Sequence, residues 1–277
     1  MPELPEVETV CRGLAKQMWS RKISGIRLNR KGLRTPFPKA LTQIVNLSVT
    51  GITRRAKYIL IHLDDARTLI VHLGMSGRMT ISKNYIAEKH DHMILTLENG
   101  ATVALNDARR FGVVDLCCTN ALEQHKLFVH LGVEPLEKGF TSAYLSARLK
   151  GKKAPIKTVI MDQRLVVGVG NIYAAEALFM AGIHPERAAT TLTLPEIKKL
   201  IASIRKVLNA AIKAGGSTLK DYAQADGELG YFQHSFAVYG RAGQGCKGCV
   251  CPLKKTGGVQ KITQGGRSTF YCPHQQT

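Results

Sequence analysis

The sequence predicts a multidomain α+β protein, with an N-terminal β-sandwich and flanking helices, a helical middle domain and a small cysteine-rich C-terminal hairpin. Three observations predict this organisation. Short apolar or β-branched segments fill residues 22–118, helical patterns follow to residue 214, and four of the seven cysteines fall in the last 32 residues. We therefore expect domains at residues 1–132, 133–237 and 238–277.

The first domain is predicted to start with a helix over residues 5–18, where Val7, Val10 and Leu14 form one apolar stripe. Short strands follow, separated by turn signals such as Glu98-Asn99-Gly100. Many short strands without long intervening helices are typical of an all-β sandwich or barrel. The predicted strands are Ile23 to Leu28, Leu47 to Thr53, Tyr58 to Leu63, Thr68 to Leu73, Met93 to Leu97, Thr102 to Leu105 and Gly112 to Leu116.

Helical signals take over after residue 118. Residues 121–131 predict a short helix that ends at Gly132, and residues 142–150, 155–163 and 171–181 can also be helical. Thr193-Leu194-Pro195-Glu196 is a capping box, so a longer helix is expected from there to Gly215-Gly216. The polar residues 217–237 form a loop whose length is typical of functional or disordered segments.

Charge is the strongest global property of the chain. It has 39 Lys and Arg against 20 Asp and Glu, a formal charge of +19. Such an excess attracts polyanions, and phosphate neutralisation dominates nucleic-acid affinity. An anionic membrane surface is the alternative, but the sequence has no polybasic amphipathic helix, no apolar run of about 18 residues and no secretory signal. We expect a nucleic-acid partner, no membrane association and a cytoplasmic location.

The C-terminal cysteines predict a metal site. Disulfides are unexpected in a cytosolic protein, and a module of about 40 residues is too small to be stabilised by a hydrophobic core alone. Cys246, Cys249 and Cys272 are the candidate zinc ligands, and structural zinc takes four. The fourth position is open between His274 and Cys251, because Gln275 stands where a C-x-x-C pair would place a cysteine. The remaining cysteines, Cys11, Cys117 and Cys118, are expected to be buried small hydrophobic residues.

The first residues combine a candidate nucleophile with a candidate helix start. Removal of Met1 would leave Pro2 as a free secondary amine beside the Glu3 carboxyl group. A terminal amine has a pKa of roughly 8, against 10.4 for lysine, so it can attack an electrophilic carbon and form a Schiff base. Pro5 and the acidic residues also suit the first turn of a helix. From these residues alone, the helix start is the simpler interpretation.

Six motifs, spread in order over nearly the whole chain, change that interpretation. Together they resemble the signatures of the formamidopyrimidine-DNA glycosylase family, which repairs oxidised purines in bacteria. Leu4 supports this branch, because the sister endonuclease VIII group typically has glycine there. The resemblance implies a helix–two-turn–helix element in the middle domain and a C-terminal zinc β-hairpin. The motifs are the stretches 2–8, 54–58, 72–77, 89–92, 107–112 and 167–173.

The resemblance also implies catalytic roles. The Pro2 amine would attack C1′ of the damaged nucleoside and leave a covalent iminium, with Glu3 as general acid or base at the sugar. A cationic iminium makes the C2′ proton acidic, so that the 3′-phosphate and then the 5′-phosphate can be eliminated. Lys57 would donate the proton in β-elimination and Arg267 in δ-elimination. Without the resemblance, Lys57 is a solvated basic residue and Arg267 a phosphate clamp.

Further residues are implied in DNA binding. Met75, Arg109 and Phe111 resemble a wedge that fills the gap left by an extruded base. His90, Arg109 and Lys153 correspond to the family's DNA-binding positions. The turn Gly168-Val169-Gly170-Asn171 precedes a helix, so its free backbone N–H groups can hold a phosphate. The loop from Ser217 to Tyr231 resembles the segment that closes over the flipped base. The expected partner is double-stranded DNA containing oxidised bases, bound by a monomer with one structural zinc ion.

Two alternatives remain at this point. An endonuclease VIII-like enzyme of the same fold would prefer oxidised pyrimidines. A non-catalytic zinc-hairpin protein that binds damaged DNA would share the positive charge and the cysteines.

Overall fold

The fold is described from a computed structural model, which describes residues 1–218, 225 and 230–277. The chain forms two compact units. Unit 1 comprises residues 1–130 and 212–233, and unit 2 comprises residues 131–211 and 234–277. No helix in the described parts of either unit is long and apolar enough to cross a membrane. The predicted domain boundaries at residues 132 and 237 stay predictions.

Unit 1 begins with helix α1, Leu4–Met18, as the apolar stripe predicts. Glu3 is the N-cap residue, and Pro5 occupies the first turn, where its missing N–H costs nothing. Leu4, Leu14 and Met18 are fully buried, so α1 packs its apolar face into the unit 1 core. Burial of each such side chain contributes roughly 1.5–3 kcal/mol.

Two antiparallel four-stranded sheets form the body of unit 1. One has the order β1-β6-β7-β5 and the other β2-β3-β4-β8. The inward-facing residues of both sheets share one buried apolar cluster with α1, which confirms the predicted sandwich. The strands are β1 Ile23–Leu28, β2 Val49–Arg55, β3 Tyr58–Leu63, β4 Arg67–His72, β5 Arg78–Ser82, β6 Asp91–Leu97, β7 Thr102–Asn106 and β8 Val113–Cys118.

Unit 2 is mainly helical, as predicted. Its helices are α2 Ser142–Leu149, α3 Ile156–Ile160, α4 Asn171–Ala181, α5 Leu194–Lys213, which continues two residues into unit 1, and the short α6 Leu253–Thr256. The C-terminal hairpin pairs β9, Gln260–Gln264, with β10, Arg267–Tyr271. Phe179 of α4 packs with Phe270 of β10 in a buried cluster, so the hairpin shares its core with α4.

A single glutamate connects α4 to the chain that leads into the hairpin. The Glu176 carboxylate is buried and accepts hydrogen bonds from the backbone N–H groups of Ala237, Val238 and Tyr239 at 2.8–3.0 Å. Burial raises the pKa of Glu176, and these three donors oppose that rise.

Several sequence-based expectations were wrong in detail. Residues 121–131 form turns after a short 3-10 helix, Thr119–Ala121, instead of a helix. Val129 is exposed in this segment while Phe128 packs edge-on against Tyr58, so no continuous apolar face exists to stabilise a helix. Strand β5 and the 3-10 helix Lys39–Ile44 were missed.

The predicted burial of the three isolated cysteines holds for Cys11 only. Cys117 is half-buried and Cys118 is exposed. Both lie at the end of β8, which is an edge strand of its sheet, and an edge offers neighbours on one side only.

Gly13 of α1 lies against Ala225. A Cβ added at Gly13 would lie 2.7 Å from the Ala225 Cβ. Ala225 is itself buried, and its carbonyl accepts a hydrogen bond from the Ile81 backbone N–H at 2.7 Å. Ala225 therefore contacts both α1 and β5.

We predict that Gly13→Ala lowers the free energy of unfolding by about 1–2 kcal/mol, because overpacking outweighs the gain of about 1 kcal/mol in helix propensity. Ala225→Gly in the same chain should restore most of the loss, because it removes the methyl group that clashes. Urea denaturation of the three proteins measures this. A Gly13→Ala variant as stable as the wild type, or a double variant less stable than Gly13→Ala, would contradict the contact.

Candidate active site and nucleic-acid interface

The predicted catalytic residues Pro2 and Glu3 lie side by side and buried at the start of α1. Glu6 organises this terminus. Its Oε2 accepts a hydrogen bond from the Glu3 backbone N–H at 2.9 Å, and its Oε1 accepts one from the Ser217 N–H at 2.8 Å. The backbone beside Ser217 approaches closely, because a Cβ on Gly216 would lie 3.2 Å from the Glu6 Cγ.

Glu6 was not among the predicted site residues. The signal that could have found it is its position three residues after the N-cap residue Glu3, which is the spacing of a capping box. A buried carboxylate at this place holds the terminus in one geometry and adds negative potential beside it.

Lys57 lies at the tip of the β2–β3 hairpin, which Arg55 and Tyr58 close as the last paired residues. Ala56 adopts a left-handed conformation there, with φ of 53°, and its carbonyl accepts a hydrogen bond from the Arg54 Nη1 at 3.0 Å. Lys57 is only 7% exposed. Because lysine side chains are almost never fully buried unless they are paired, the environment of Lys57 is unlike that of a solvated basic residue.

His72 lies at the end of β4, and the positive charge of Lys57 affects its pKa. Burial, followed by the Lys57 ammonium and the Arg34 guanidinium, lowers the pKa of His72 to about 4, and the Asp107 carboxylate opposes this shift. His72 Nδ1 accepts a hydrogen bond from the Gly74 backbone N–H at 3.0 Å, so His72 is neutral with its proton on Nε2.

The predicted wedge residues occupy two exposed turns. Met75 is 42% exposed and Phe111 is 45% exposed, so neither is an ordinary core residue. Arg109 is also exposed, and its guanidinium carbon lies 4.8 Å from the centre of the Phe111 ring. His90 is half-buried on the same unit, and its ring centre is 6.3 Å from that of His92.

In unit 2, Asn171 begins α4 and is tied to the hairpin. Its Oδ1 accepts a hydrogen bond from Lys157 Nζ at 2.5 Å, and its Nδ2 donates to the Ser268 carbonyl at 2.9 Å. Lys157 Nζ also donates to Thr269 Oγ1 at 2.7 Å. Lys157 is fully buried and was not among the predicted site residues. Its ammonium group connects α4, through Asn171, to β10, through Thr269.

The turn before α4 was expected to offer free backbone N–H groups to a phosphate. The Gly168 N–H donates instead to Gln163 Oε1 at 2.7 Å. Gln163 Nε2 also donates to the Val169 carbonyl at 3.1 Å, so its side chain holds the turn.

A basic cleft of about 490 Å³ opens on unit 2. Five cationic side chains and Asp162 line it, and Asp162 pairs with one of them, Arg164, at 2.9 Å. The excess of positive charge suits a phosphate-rich ligand. The five cations are Lys152, Lys153, Lys157, Arg164 and Arg267, which include two of the predicted residues.

Four cysteines come together in unit 2. The Sγ atoms of Cys246, Cys249, Cys251 and Cys272 all lie within 4.8 Å of one another. The fourth member is thus Cys251, and His274 is not part of the cluster. Four thiol groups at this spacing fit a single tetrahedral metal ion. Gln275 turns its side chain elsewhere and donates to the Phe179 carbonyl at 3.1 Å.

Each unit therefore carries a distinct share of the predicted residues. Unit 1 holds Pro2, Glu3, Lys57, Met75, His90, Arg109 and Phe111, whereas unit 2 holds Lys153, Asn171, Arg267 and the cysteine cluster. Most of the predicted loop from Ser217 to Tyr231 lies outside the described residues.

Comparison with known proteins identifies the family. Residues 1–114 match the model of the formamidopyrimidine-DNA glycosylase N-terminal domain, and residues 131–223 match that of the H2TH domain of the same enzymes. The formamidopyrimidine-DNA glycosylase of Ruegeria pomeroyi is 49% identical, over 100% of both chains. The chain belongs to the formamidopyrimidine-DNA glycosylase family.

Solved structures of this family share the whole fold. A Lactococcus lactis Fpg in complex with DNA that contains an abasic site has a TM-score of 0.90 and 34% identity, covering 99% of both chains. A Thermus thermophilus MutM (Fpg) has a TM-score of 0.87 and 37% identity, covering 99% of this chain and 98% of that one. Family membership makes this chain a DNA glycosylase of base excision repair.

We predict that His72 makes stability depend on pH. Its folded pKa of about 4 lies below the ordinary value of about 6.5, so its contribution is complete above pH 6.5 and is lost as the pH falls towards 4. His72→Asn keeps an acceptor for the Gly74 N–H without titrating. The stability of the wild type relative to His72→Asn should fall by at most about 3 kcal/mol between pH 7 and pH 4.

Urea denaturation at several pH values, followed by the fluorescence of Trp19, the single tryptophan, measures this difference within unit 1. Parallel pH profiles for the two proteins would contradict the lowered pKa of His72.

Proposed function

We propose that this chain is a bifunctional DNA glycosylase and AP lyase that removes oxidised purines, such as 8-oxoguanine and formamidopyrimidines, from double-stranded DNA. The observation that carries the proposal is the buried pair Pro2 and Glu3 at the start of α1, with Glu6 bonded to the Glu3 N–H. A nucleophile and an acid or base beside each other are the minimum that covalent catalysis at the sugar needs.

Pro2 acts as nucleophile once Met1 has been removed. Its secondary amine attacks C1′, the C1′–N bond to the base breaks, and the amine nitrogen loses its proton. The C1′–O4′ bond then breaks as O4′ takes up a proton, and the opened sugar remains attached to Pro2 as a cationic iminium at C1′. Glu3 carries a proton to or from the sugar during this step. A secondary amine suits the task, because its Schiff base has no proton to lose and stays positively charged. The C2′ proton is then acidic, and its loss expels the 3′-phosphate.

Lys57 and Arg267 serve the two eliminations. The proton donor in β-elimination is Lys57, whose burial at a hairpin tip keeps it out of bulk water. Arg267, exposed at the start of β10 and lining the basic cleft, acts in δ-elimination, which expels the 5′-phosphate.

Met75, Arg109 and Phe111 form the wedge that replaces the extruded nucleotide. Two exposed apolar tips can stack in the gap, and the Arg109 guanidinium can bond the orphaned base. Extrusion of a base costs roughly a few kcal/mol, which the inserted groups offset. His90, Arg109, Lys153 and Asn171 hold the DNA backbone, and the charge of +19 favours that duplex partner.

The cysteine cluster holds one structural zinc ion. Cys246, Cys249, Cys251 and Cys272 supply four sulfur ligands, the set that structural zinc prefers. When bound, the ion stabilises the fold and supplies no reactive group. The protein works as a monomer in the bacterial cytoplasm, without membrane association.

We predict that borohydride traps a covalent adduct between the protein and a duplex with 8-oxoguanine opposite cytosine. Pro2→Gly should reduce trapping and base excision by at least about 100-fold, because a primary amine replaces the secondary one at a displaced position. Absence of any adduct with the wild type would overturn the proposal and favour a non-catalytic DNA-binding protein. A faster reaction on thymine glycol opposite adenine would favour a glycosylase for oxidised pyrimidines. The DNA in one Lactococcus lactis Fpg complex contains an oxidised pyrimidine.

We predict that Arg267→Ala leaves the product of β-elimination to accumulate, with base release changed by less than about threefold. Lys261→Ala is the matched control, because Lys261 is also basic and exposed on the same hairpin. It should keep the wild-type ratio of the two cleavage products on a denaturing gel. An identical ratio in both variants would remove Arg267 from δ-elimination.

We predict about one zinc ion per wild-type chain and a large loss of zinc in Cys251→Ser. Cys118→Ser and His274→Ala should keep the metal, because neither residue belongs to the cluster. Metal analysis of the four purified proteins decides this. Full zinc content in Cys251→Ser, or loss in His274→Ala, would contradict the four-cysteine site.

A further inference from the structure

We propose that Ser76 and Asp107 are positioning residues that join the Met75 turn and the Arg109–Phe111 turn into one rigid wedge. The inference rests on the proposed function, in which these turns enter the DNA. It adds that base extrusion depends on a buried hydrogen-bond network behind the wedge, whereas the chemistry at the sugar does not.

Asp107 is the centre of the network. It follows β7 directly and is fully buried. Its Oδ1 accepts a hydrogen bond from Ser76 Oγ at 2.8 Å, and its Oδ2 accepts one from the Gly112 N–H at 2.8 Å. A buried carboxylate is tolerated only when it is well partnered, so both oxygens fix their donors firmly.

The backbone of Asp107 is also fixed by hydrogen bonds. Its N–H donates to the His90 carbonyl at 3.0 Å, and its own carbonyl accepts hydrogen bonds from His92 Nε2 at 2.9 Å and from the Arg110 N–H at 3.2 Å. Asp107 therefore connects the backbone of His90, a proposed phosphate contact, with the turn that carries Arg109.

Ser76 connects the two turns of the wedge. It immediately follows Met75, donates to Asp107 and accepts a hydrogen bond from the Arg109 N–H at 3.2 Å. One hydroxyl group thus contacts both the acid and the second turn. Its removal would break both bonds at once and leave a buried acceptor short of one partner.

Direct packing reinforces these bonds. Gly74 has φ of 64°, and a Cβ there would lie 2.5–2.7 Å from the Phe111 carbonyl carbon and oxygen and the Gly112 nitrogen. Arg110 adopts a left-handed φ of 60°, a conformation that a non-glycine residue keeps only when its surroundings impose it. The two turns therefore lie directly against each other.

The energetic demand on a wedge explains such a network. Unstacking a base step costs free energy, and a wedge that had to become ordered during insertion would add its own conformational entropy to that cost. If the turns that carry Met75 and Phe111 are already ordered before insertion, the entropy cost of ordering the wedge is avoided, as with other preorganised binding sites.

The test compares Ser76→Ala with Ser24→Ala on two substrates. Ser24 also loses one hydrogen bond, to the Thr96 carbonyl, but it lies on β1 outside the network. The first substrate is a duplex with 8-oxoguanine opposite cytosine, which requires extrusion. The second is a single-stranded oligonucleotide with an abasic site, in which no base has to leave a stack.

We expect Ser76→Ala to slow excision from the duplex by about tenfold or more, while its cleavage of the single strand stays within about twofold of the wild type. A 2-aminopurine beside the lesion should show a slower fluorescence rise with Ser76→Ala than with Ser24→Ala. Ser76→Thr, which keeps the hydroxyl group, should recover most of the duplex rate.

Three results would overturn the inference: equal loss on both substrates, no loss on the duplex, or the same duplex defect in Ser24→Ala. Failure of the proposed function is distinguishable, because the wild type itself would then neither excise 8-oxoguanine nor form a trapped adduct.

Discussion

The proposed chemistry depends on the hydrogen bonds that the buried carboxylate of Glu6 accepts. The carboxylate accepts them from the backbone N–H groups of Glu3 and of Ser217, which are far apart in the chain. A terminus normally frays, because nothing opposes its conformational entropy. Here, the capping interaction, the apolar burial of α1 and the bond to Ser217 hold Pro2 and Glu3 in one place. A nucleophile has to be held in this way before it can act at a single carbon atom.

The same device recurs in both units. Asp107, Glu176 and Lys157 are buried charged groups, and each connects segments that the sequence separates by up to about a hundred residues. Burying a charge costs free energy unless every hydrogen-bond partner is in position. Such groups therefore stabilise one arrangement of the chain and destabilise the alternatives. Asp107 is bonded to the backbone of His90 and Lys157 to the side chain of Asn171, and both of these partners are proposed to contact DNA. We interpret the buried charged groups as the means by which exposed and otherwise mobile side chains acquire defined positions.

The distribution of charge complements these local networks. The chain carries a formal charge of +19, and five cationic side chains line the basic cleft of unit 2, whereas Glu3, Glu6, Asp107 and Glu176 are buried. Surface cations attract the phosphate backbone without regard to sequence, which suits an enzyme that has to search long stretches of undamaged DNA. In the proposed function, recognition of the lesion then depends on the wedge and on the residues near Pro2, where contacts are short-ranged and geometric.

The sequence by itself determined the fold class, most strand positions, α1, α4 and α5, and the family, because periodicity, caps and short motifs are local properties of the chain. It also indicated the cysteine module through the spacing of the cysteines, and the roles of Pro2, Glu3 and Lys57 through the family resemblance. Tertiary structure alone decided that Cys251 completes the cluster, that Lys57 is buried, that Cys118 is exposed and that residues 121–131 are not helical. Each of these depends on partners distant in the chain. The hydrogen bond of Glu6 to Ser217 and the roles of Asp107 and Lys157 also depend on distant partners. Periodicity does not reveal them, because the role of a buried charged group is set by the atoms that it contacts.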